Sequence, residues 1–177
     1  MRIFFGVDLP LEVKDYLYEL ENSLKDLSIA KIQWVPKRNF HLTLKFLGEI
    51  SEEKVKIIKL ALKDINLSKF RLRLGDFGYF PGGDRINILW VGLENDEPLR
   101  ELQKLIDEKT IGLGDLKLGS HITLGRVKFF KKKKEFLEKI NKLDIRNLEF
   151  EVGSFCLFES RLSKDGPRYY ILEKYKL

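Results

Sequence analysis

Two short motifs contain both histidines of the chain and carry the residue types that proton transfer around a phosphate requires. The motifs are His41-Leu-Thr-Leu44 and His121-Ile-Thr-Leu124, and their first residues stand 80 positions apart. Imidazole has an ordinary pKa of about 6.5, so near neutral pH one histidine can hold a proton while the other lacks one. Threonine hydroxyls two residues further on can donate hydrogen bonds to phosphoryl oxygens. This pairing is typical of general acid–base catalysis.

Both motifs alternate polar and apolar residues, which predicts half-buried β-strands. His41 and Thr43 then share one face of a strand, while Leu42 and Leu44 point to the core. A single copy carries little weight, since threonine is common in any strand. Two copies that use every histidine of the chain are harder to explain by packing alone. If the two strands meet, two imidazoles and two hydroxyls line one cleft.

The two halves of the chain match beyond these motifs, which indicates an internal repeat of about 80 residues. Each half places a helical pattern between its histidine strand and a later apolar strand. We therefore predict one α+β domain, residues 1–177, with two pseudo-symmetric lobes and the active-site cleft between them. Each lobe is a mainly antiparallel sheet with helices on its outer face. At a constant offset of 78, the positions Phe70, Leu72, Leu74, Gly75, Phe77 and Phe80 correspond to Leu148, Phe150, Val152, Gly153, Phe155 and Phe158.

Periodicity and turn residues give the remaining elements. With the second histidine strand, which begins at His121, a two-residue period or an apolar run predicts eight strands. The other seven are Arg2–Leu9, Ile32–Val35, Phe40–Gly48, Phe70–Phe80, Arg85–Leu93, Leu148–Phe158 and Tyr169–Leu177. Apolar stripes predict helices at Leu11–Leu27, from Ser51 through Leu62, at Glu97–Lys109 and at Lys131–Leu143. Turn residues place a turn at Pro81–Asp84 and a loop at Ile111–Gly119.

Composition limits the class of protein. The chain has 44% hydrophobic and 34% charged residues, a composition typical of soluble globular proteins. Its net charge of +6 and pI of about 9.2 favour a moderate attraction for polyanions. It has no apolar run of membrane-spanning length and no signal-peptide pattern. Cys156 is the single cysteine, so a disulfide framework is excluded. We expect a cytoplasmic monomer without a membrane or an obligate protein partner.

Other site chemistries lack their motifs. A zinc site generally needs three or four protein ligands, and neither a third histidine nor a cysteine pair exists. The chain also lacks a Gly-x-Ser-x-Gly elbow, a phosphate-binding P-loop and a Rossmann glycine fingerprint. The sequence therefore predicts a site with no cofactor and no metal.

Together with the residues that follow them, up to Glu49 and Arg126, the paired motifs resemble those of the 2H phosphoesterase superfamily. The nearer resemblance is to the bacterial and archaeal RNA 2′,3′-cyclic phosphodiesterases, once named 2′-5′ RNA ligases and also described as LigT-like. It covers nearly the whole chain and includes Trp34-Val-Pro36, Leu89-Trp-Val-Gly92 and Glu159-Ser-Arg-Leu-Ser163 before Gly166-Pro167.

This resemblance implies metal-independent hydrolysis of a terminal ribose 2′,3′-cyclic phosphate of RNA to a 2′-phosphate. It also implies roles for the four motif positions. His121 would be the general base that deprotonates water, and His41 the general acid that protonates the departing 3′-oxygen. Thr43 and Thr123 would hold the phosphate oxygens. RNA with cyclic phosphate ends, including tRNA fragments, is the implied partner.

Further residues are candidates for binding substrate. Arg126 suits a phosphate clamp, but strict alternation from His121 puts it on the wrong face, so a bulge or strand end must turn it inward. Lys45 shares the face of His41 by alternation, and it points either into the cleft or to solvent at its rim. Arg85 follows a turn and could reach a phosphate. The run Lys131–Lys134 could track an RNA backbone or could be a solvated helix start. The aromatic residues that could stack on a base or pack in the core are Phe5, Trp34, Tyr79 and Phe80.

Three alternatives remain open at this point. The first is 2′-5′ RNA ligation, the reverse reaction at the same site. The second is a non-catalytic RNA or nucleotide binder, against which two titratable imidazoles count. The third is a metal-dependent hydrolase that recruits carboxylates, whose activity a chelator would abolish.

Overall fold

The fold was examined in a computed structural model, which describes residues 1–25, 29–80, 86–114, 119–164 and 166–177. These residues form four α-helices and nine strands. The helices are α1 (Leu11–Lys25), α2 (Glu52–Ala61), α3 (Glu97–Lys109) and α4 (Lys133–Ile140), with a 3₁₀ turn at Lys37–Asn39. The strands are β1 (Arg2–Asp8), β2 (Ala30–Trp34), β3 (His41–Glu49), β4 (Phe70–Phe80), β5 (Ile88–Leu93), β6 (His121–Phe130), β7 (Glu149–Val152), β8 (Ser154–Ser163) and β9 (Gly166–Lys176).

The strands form an antiparallel sheet in the order β7-β4-β5-β6-β3-β1-β8-β9, and β2 pairs with β6. The two histidine strands, β3 and β6, lie next to each other at its centre. In the described part of the chain they are joined through one residue pair, Leu42 and Ile122. The sheet therefore divides there into two lobes, one on each side of this pair. The predicted α+β architecture with two mainly antiparallel lobes is confirmed.

Each lobe contains strands from both halves of the chain, which the repeat alone did not predict. In the lobe of His121, β5 pairs with β4, and β6 pairs with β2. In the lobe of His41, β1 pairs with β8, which pairs with β9. Strand β4 thus completes the sheet of the second half, and β8 occupies the equivalent place in the sheet of the first half.

The hydrophobic core lies between the sheet and the helices. The apolar motif residues Leu42, Leu44, Ile122 and Leu124 are almost fully buried in it. Because side chains alternate across a strand, the histidines and threonines lie on the opposite face, away from this core. Apolar side chains from all four helices pack into the same core: Val13, Leu17 and Leu20 of α1, Val55 and Ile58 of α2, Leu99, Leu102 and Ile106 of α3, and Phe136 and Ile140 of α4.

Most predicted elements have observed counterparts whose bounds agree to within a few residues. The Ser51 side chain accepts a hydrogen bond from the backbone N–H of Lys54, so it caps α2 as predicted. The predicted strand Leu148–Phe158 is divided into β7 and β8 at Gly153, and β8 extends to Ser163. The predicted turn Pro81–Asp84 lies outside the described residues. No helix in the described ranges is long and apolar enough to span a membrane.

Candidate active site

The two histidines face each other across the pair that joins β3 and β6. In an antiparallel register, pairing of Leu42 with Ile122 sets His41 opposite Thr123 and Thr43 opposite His121. Each histidine therefore has a threonine two residues along its own strand and another on the neighbouring strand. The four polar side chains form a nearly two-fold symmetric cluster on the face opposite the core. The sequence predicted this grouping, and the register supplies its geometry.

Hydrogen bonds hold the ring of His41 at both nitrogens. Nδ1 lies 2.6 Å from the backbone oxygen of Asn39. A carbonyl oxygen can only accept, so Nδ1 carries a proton and donates it to this bond. Nε2 lies 3.0 Å from the Thr43 hydroxyl and, in the neutral ring, accepts a hydrogen bond from it. The nitrogen that can gain or lose a proton is therefore Nε2, on the side of the threonine.

Burial lowers the pKa of both histidines, but other groups act only on His41. For His41, the hydrogen bond to Asn39 and the carboxylate of Asp8 oppose the effect of burial and raise the pKa. Asp8 is the cross-strand partner of His41, and its Oδ1 lies 2.6 Å from Nζ of Lys14. The positive charges of Lys14 and His121 lower the pKa of His41. His41 thus has groups beside it that oppose the effect of burial, whereas burial is the only resolved influence on the pKa of His121.

Aromatic rings pack against both imidazoles. The ring centroid of His41 lies 5.0 Å from that of Phe4, 6.3 Å from Phe158 and 5.1 Å, edge-on, from Tyr169. His121 lies 5.2 Å, also edge-on, from Phe80 and 6.1 Å from Trp90. Phe80 and Phe158 occupy equivalent places in the sequence repeat. These rings restrict the imidazoles to one orientation and exclude water from one side of each.

A β-bulge at the same motif position in both strands decides which later residues face the cleft. Lys45 pairs with Phe5 but Thr43 pairs with Gly6, so Leu44 has no partner on β1. On β6, Gly125 and Thr123 pair with consecutive residues of β5, which leaves Leu124 without a partner. Each bulge shifts the alternation by one residue. Phe46 and Arg126, at equivalent places, therefore turn into the cleft.

Arg126 thus meets the condition that the sequence set for it, because a bulge turns its side chain inward. Its guanidinium lies near enough to Tyr169 to lower the pKa of that phenol, although burial dominates and raises it overall. Arg126 lines the same pocket as Thr123 and His41. It therefore places a positive charge beside the two motifs.

The prediction that Lys45 faces the cleft or its rim is wrong, and the bulge is the reason. Lys45 is only 2% exposed and points into the layer between β3 and α3. Its ammonium donates to Asp107 Oδ1 at 2.6 Å, and to the backbone oxygen and hydroxyl of Thr110 at 3.0 Å each. Lys45 therefore joins the His41 strand to the C-terminal end of α3.

A cleft opens beside His41, and its walls are mixed in chemistry. The described residues that line it include His41, Thr43, Thr123 and Arg126 as polar groups. His121 does not line this cleft directly and lies beyond Thr43 on the same face of the sheet. Aromatic and apolar residues complete the walls: Trp34, Val35, Pro36, Phe46, Pro167 and Tyr169. A polar floor with flat apolar walls suits a sugar phosphate with an attached ring.

The other candidates from the sequence are distributed between core and cleft. Phe5 is fully buried in the core, and Tyr79 packs partly against it. Trp34 lines the cleft, and Phe80 contacts His121. Arg85 lies outside the described residues. Cys156 is buried, and burial raises the pKa of its thiol to about 11, as fits a packed side chain. Among the described residues, no group of three or more His, Cys, Asp and Glu side chains is arranged to hold a metal ion.

Sequence reasoning missed four residues of this site: Asp8, Asn39, Phe46 and Tyr169. Asn39 acts through its backbone oxygen, for which a sequence carries no signal. Asp8 and Tyr169 are brought to His41 by strand pairing, and the bulge turns Phe46 into the cleft. The one available signal was the repeat, because Phe46 occupies the place of Arg126 when the motifs are aligned.

Comparisons with known proteins agree with this geometry. The family model described as "LigT like Phosphoesterase" matches residues 7–90 and again residues 91–169. An RNA 2′,3′-cyclic phosphodiesterase of Methanocaldococcus jannaschii is 35% identical over 99% of this chain and 100% of its own length. The protein of the same name from Thermotoga maritima is 33% identical over 97% of this chain and 93% of its own.

Solved structures show the same fold. A crystal structure of a Thermus thermophilus protein superposes with a TM-score of 0.79 at 29% identity, covering 100% of this chain and 98% of that one. Escherichia coli LigT in complex with 3′-AMP gives a TM-score of 0.76 at 25% identity, over 99% and 97% of the two chains. The double match to one family model also accords with the two histidine motifs and their matching strands. The double match and the similarity to these relatives over nearly the whole chain show that it belongs to the LigT-like phosphoesterase family.

Proposed function

We propose that this protein hydrolyses the terminal 2′,3′-cyclic phosphate of RNA to a 2′-phosphate, without a metal ion, through its two histidines. The observation that carries the proposal is the placement of both imidazoles and both motif threonines around the Leu42–Ile122 pair. The relatives named as RNA 2′,3′-cyclic phosphodiesterases support the substrate. The Escherichia coli structure with 3′-AMP supports a nucleoside phosphate as ligand.

The reaction needs one proton removed and one supplied. His121, in its neutral form, accepts a proton from water as the water oxygen attacks phosphorus. The bond from phosphorus to the 3′-oxygen breaks, and His41 donates its Nε2 proton to that oxygen. The product carries a phosphate on the 2′-oxygen and a free 3′-hydroxyl. Each histidine then has the protonation state that the other began with, and solvent restores both.

The surroundings of the two rings support this assignment of roles. The acid must be protonated before the reaction, and Asp8 together with the Asn39 carbonyl favours the imidazolium at His41. At His121 burial is the cause that shifts the pKa, and it favours the neutral ring that a base requires. Nδ1 of His41 is engaged with the Asn39 carbonyl, so the proton that His41 transfers is the one on Nε2, the nitrogen beside the Thr43 hydroxyl.

The remaining polar residues bind the phosphate. Thr43 and Thr123 donate hydroxyl hydrogens to its non-bridging oxygens, and Arg126 supplies a positive charge where negative charge accumulates on attack. Phe46 and the walls around Trp34 and Tyr169 hold the ribose and base. Lys45 has no part in this binding.

The test is turnover of a short RNA that ends in a 2′,3′-cyclic phosphate, with EDTA present, by the wild type and by His41→Ala and His121→Ala. General acid–base catalysis typically contributes a factor of about 10²–10⁴ per group, so each variant should lose at least about a hundredfold in kcat. The wild-type product should be the 2′-phosphate. Melting temperatures within a few degrees of wild type serve as the control for folding.

Two results would count against the proposal. Activity that EDTA abolishes and a divalent ion restores indicates a metal-dependent hydrolase. Tight RNA binding without turnover, unchanged in both histidine variants, indicates a binding module. The monomeric state and the cytoplasmic location remain predictions, and the former is tested by light scattering of the purified chain.

A further inference from the structure

Strands β2 and β6 continue beyond the cleft and carry a row of exposed side chains on the cleft face. Ala30, Ile32, Val127 and Phe130 pack against the core, so the alternate residues Lys31 and Gln33 project to the opposite side. Gln33 pairs with Arg126, and both line the cleft. Lys31 pairs with Phe129 further along. The row therefore begins at the proposed phosphate site and leads away from it.

This row is cationic and contains one exposed aromatic ring. Phe129 is 49% exposed, so about half of its surface is open to solvent. The ammonium of Lys31 lies over its ring, 5.9 Å from the centroid. Lys131, two residues beyond Phe129 and so on the same face by alternation, is also exposed. We call Lys31, Phe129 and Lys131 the β6 strip.

The run Lys131–Lys134 extends this charge. The backbone N–H groups of Lys131 and Lys132 donate to the carbonyl oxygen of Ile29, at 2.8 and 3.0 Å. These bonds fix the start of the run beside the first residue of β2, where the β6 strip ends. Lys132 also forms an ion pair with Glu135, at 3.2 Å. The positive charge therefore continues from the strip to the N-terminal end of α4.

The symmetry-related strand does not repeat this feature. Aligning the motifs places Gly48 and Glu49 of β3 where β6 has Lys128 and Phe129. Glu49 is acidic and lies 3.4 Å from the terminal ammonium of Met1 and 3.9 Å from Arg2. Strands that match at the catalytic motifs thus differ in charge and stacking capacity just beyond them. The difference places a cationic surface along β6 that β3 does not repeat.

We propose that the β6 strip binds the RNA chain that precedes the terminal nucleotide, so the preferred substrate is an oligoribonucleotide and not a cyclic mononucleotide. Lys31 and Lys131 contact backbone phosphates, and a base stacks on the exposed face of Phe129. Cationic grooves with interleaved aromatic residues bind single strands in this way. The inference rests on the proposed function for the position of the chain end.

Two variants separate the contributions of charge and stacking: Lys31→Glu with Lys131→Glu, and Phe129→Ala. Each is assayed with a 2′,3′-cyclic mononucleotide and with a six-residue RNA ending in the same cyclic nucleotide. Activity on the mononucleotide should stay within about twofold of wild type. On the RNA, kcat/KM should fall about tenfold for Phe129→Ala, as expected for one lost base stack. The lysine double variant should fall at least as far and show a weaker dependence on salt.

A matched control separates a local effect from the change in net charge. Lys56→Glu with Lys104→Glu changes the charge equally, at exposed positions on α2 and α3 across the sheet from the strip. This variant should keep its activity on the RNA within about twofold. An equal loss in the control and in the strip variant would overturn the proposal, as would unchanged activity of both strip variants on the RNA.

A measurement of RNA affinity tests the strip independently of the proposed catalysis. Anisotropy of a fluorescent six-residue RNA with a 3′-phosphate end reports affinity whether or not turnover occurs. Weaker binding in both strip variants, with wild-type binding in the control, supports the strip even if the wild type fails to hydrolyse cyclic ends. Equal affinity in all four proteins would overturn it even if hydrolysis proceeds.

Discussion

At the scale of single residues, the two imidazoles share a sequence motif but not an electrostatic environment. Burial lowers the pKa of each. Asp8 and the Asn39 carbonyl counter this at His41, and no equivalent influence is resolved at His121. The duplicated motif is thus set in two different electrostatic environments, and the proposed mechanism assigns one histidine as acid and the other as base.

The pH profile is the first prediction at this scale. In a plot of kcat/KM against pH, activity falls on the acid side because the base becomes protonated. It falls on the alkaline side because the acid loses its proton. Because both pKa values are lowered, kcat/KM should be bell-shaped, with its maximum below about pH 6.5, the ordinary pKa of histidine. A profile that is flat between about pH 5 and 8 would contradict catalysis by this pair.

Asp8→Asn tests the assignment of roles. The carboxylate raises the pKa of His41, so its removal should move the alkaline limb of kcat/KM to lower pH and leave the acid limb in place. The measurement is the pH dependence of kcat/KM on a cyclic mononucleotide. A shift of the acid limb instead would make His41 the base and reverse the roles.

At the scale of elements, the bulges at Leu44 and Leu124 explain which expectations from the sequence held. Alternation correctly placed the four motif residues, because they precede the bulge in each strand. Beyond the bulge, strict alternation puts both Lys45 and Arg126 on the wrong face. For Arg126 we added the condition that a bulge or strand end turns it inward, and this condition is met. A bulge depends on the pairing of a strand with its neighbour, and β1 and β5 lie far from these positions in sequence. Periodicity within one strand cannot reveal it.

Lys45→Met tests the structural role that the bulge gives this lysine. Methionine keeps the length of the side chain but leaves the carbonyl and hydroxyl of Thr110 without their buried donor. The free energy of unfolding should therefore fall by about 1–3 kcal/mol, measured by urea denaturation, while KM stays near that of wild type. A raised KM at unchanged stability would instead make Lys45 a substrate ligand.

Lys104→Met is the control for that variant. Lys104 lies on the same helix, α3, with its side chain exposed, and an exposed substitution there should change stability by less than about 0.5 kcal/mol. An equal loss in both variants would trace the effect to α3 in general and not to the link between α3 and β3.

At the scale of the whole molecule, the exchange of strands between the halves predicts cooperative unfolding. Neither lobe can keep its sheet if one half of the chain unfolds. Both tryptophans, Trp34 on β2 and Trp90 on β5, lie in the lobe of His121. Tryptophan fluorescence therefore reports that lobe, whereas far-ultraviolet circular dichroism reports both. The two urea transitions should coincide, and separate midpoints would show that the lobes unfold independently.

The number and type of elements followed from the sequence because long apolar stripes and alternating runs are local signals. The lobes followed from the repeat. The sheet order did not, because β4 pairs with β5 while β8 crosses the molecule to pair with β1. A repeat in sequence indicates two similar units, but it does not say whether each unit keeps its own last strand.

That exchange has the topology of a domain-swapped homodimer whose subunits have been fused into one chain. The Leu42–Ile122 pair marks the two-fold axis, and each former subunit would lend its last strand to the other, as swapped dimers do. A single ancestral copy would then present one histidine and would need a second copy to supply the other. Fusion makes the second copy permanent, so the encounter no longer depends on concentration and the surroundings of the two histidines are free to diverge.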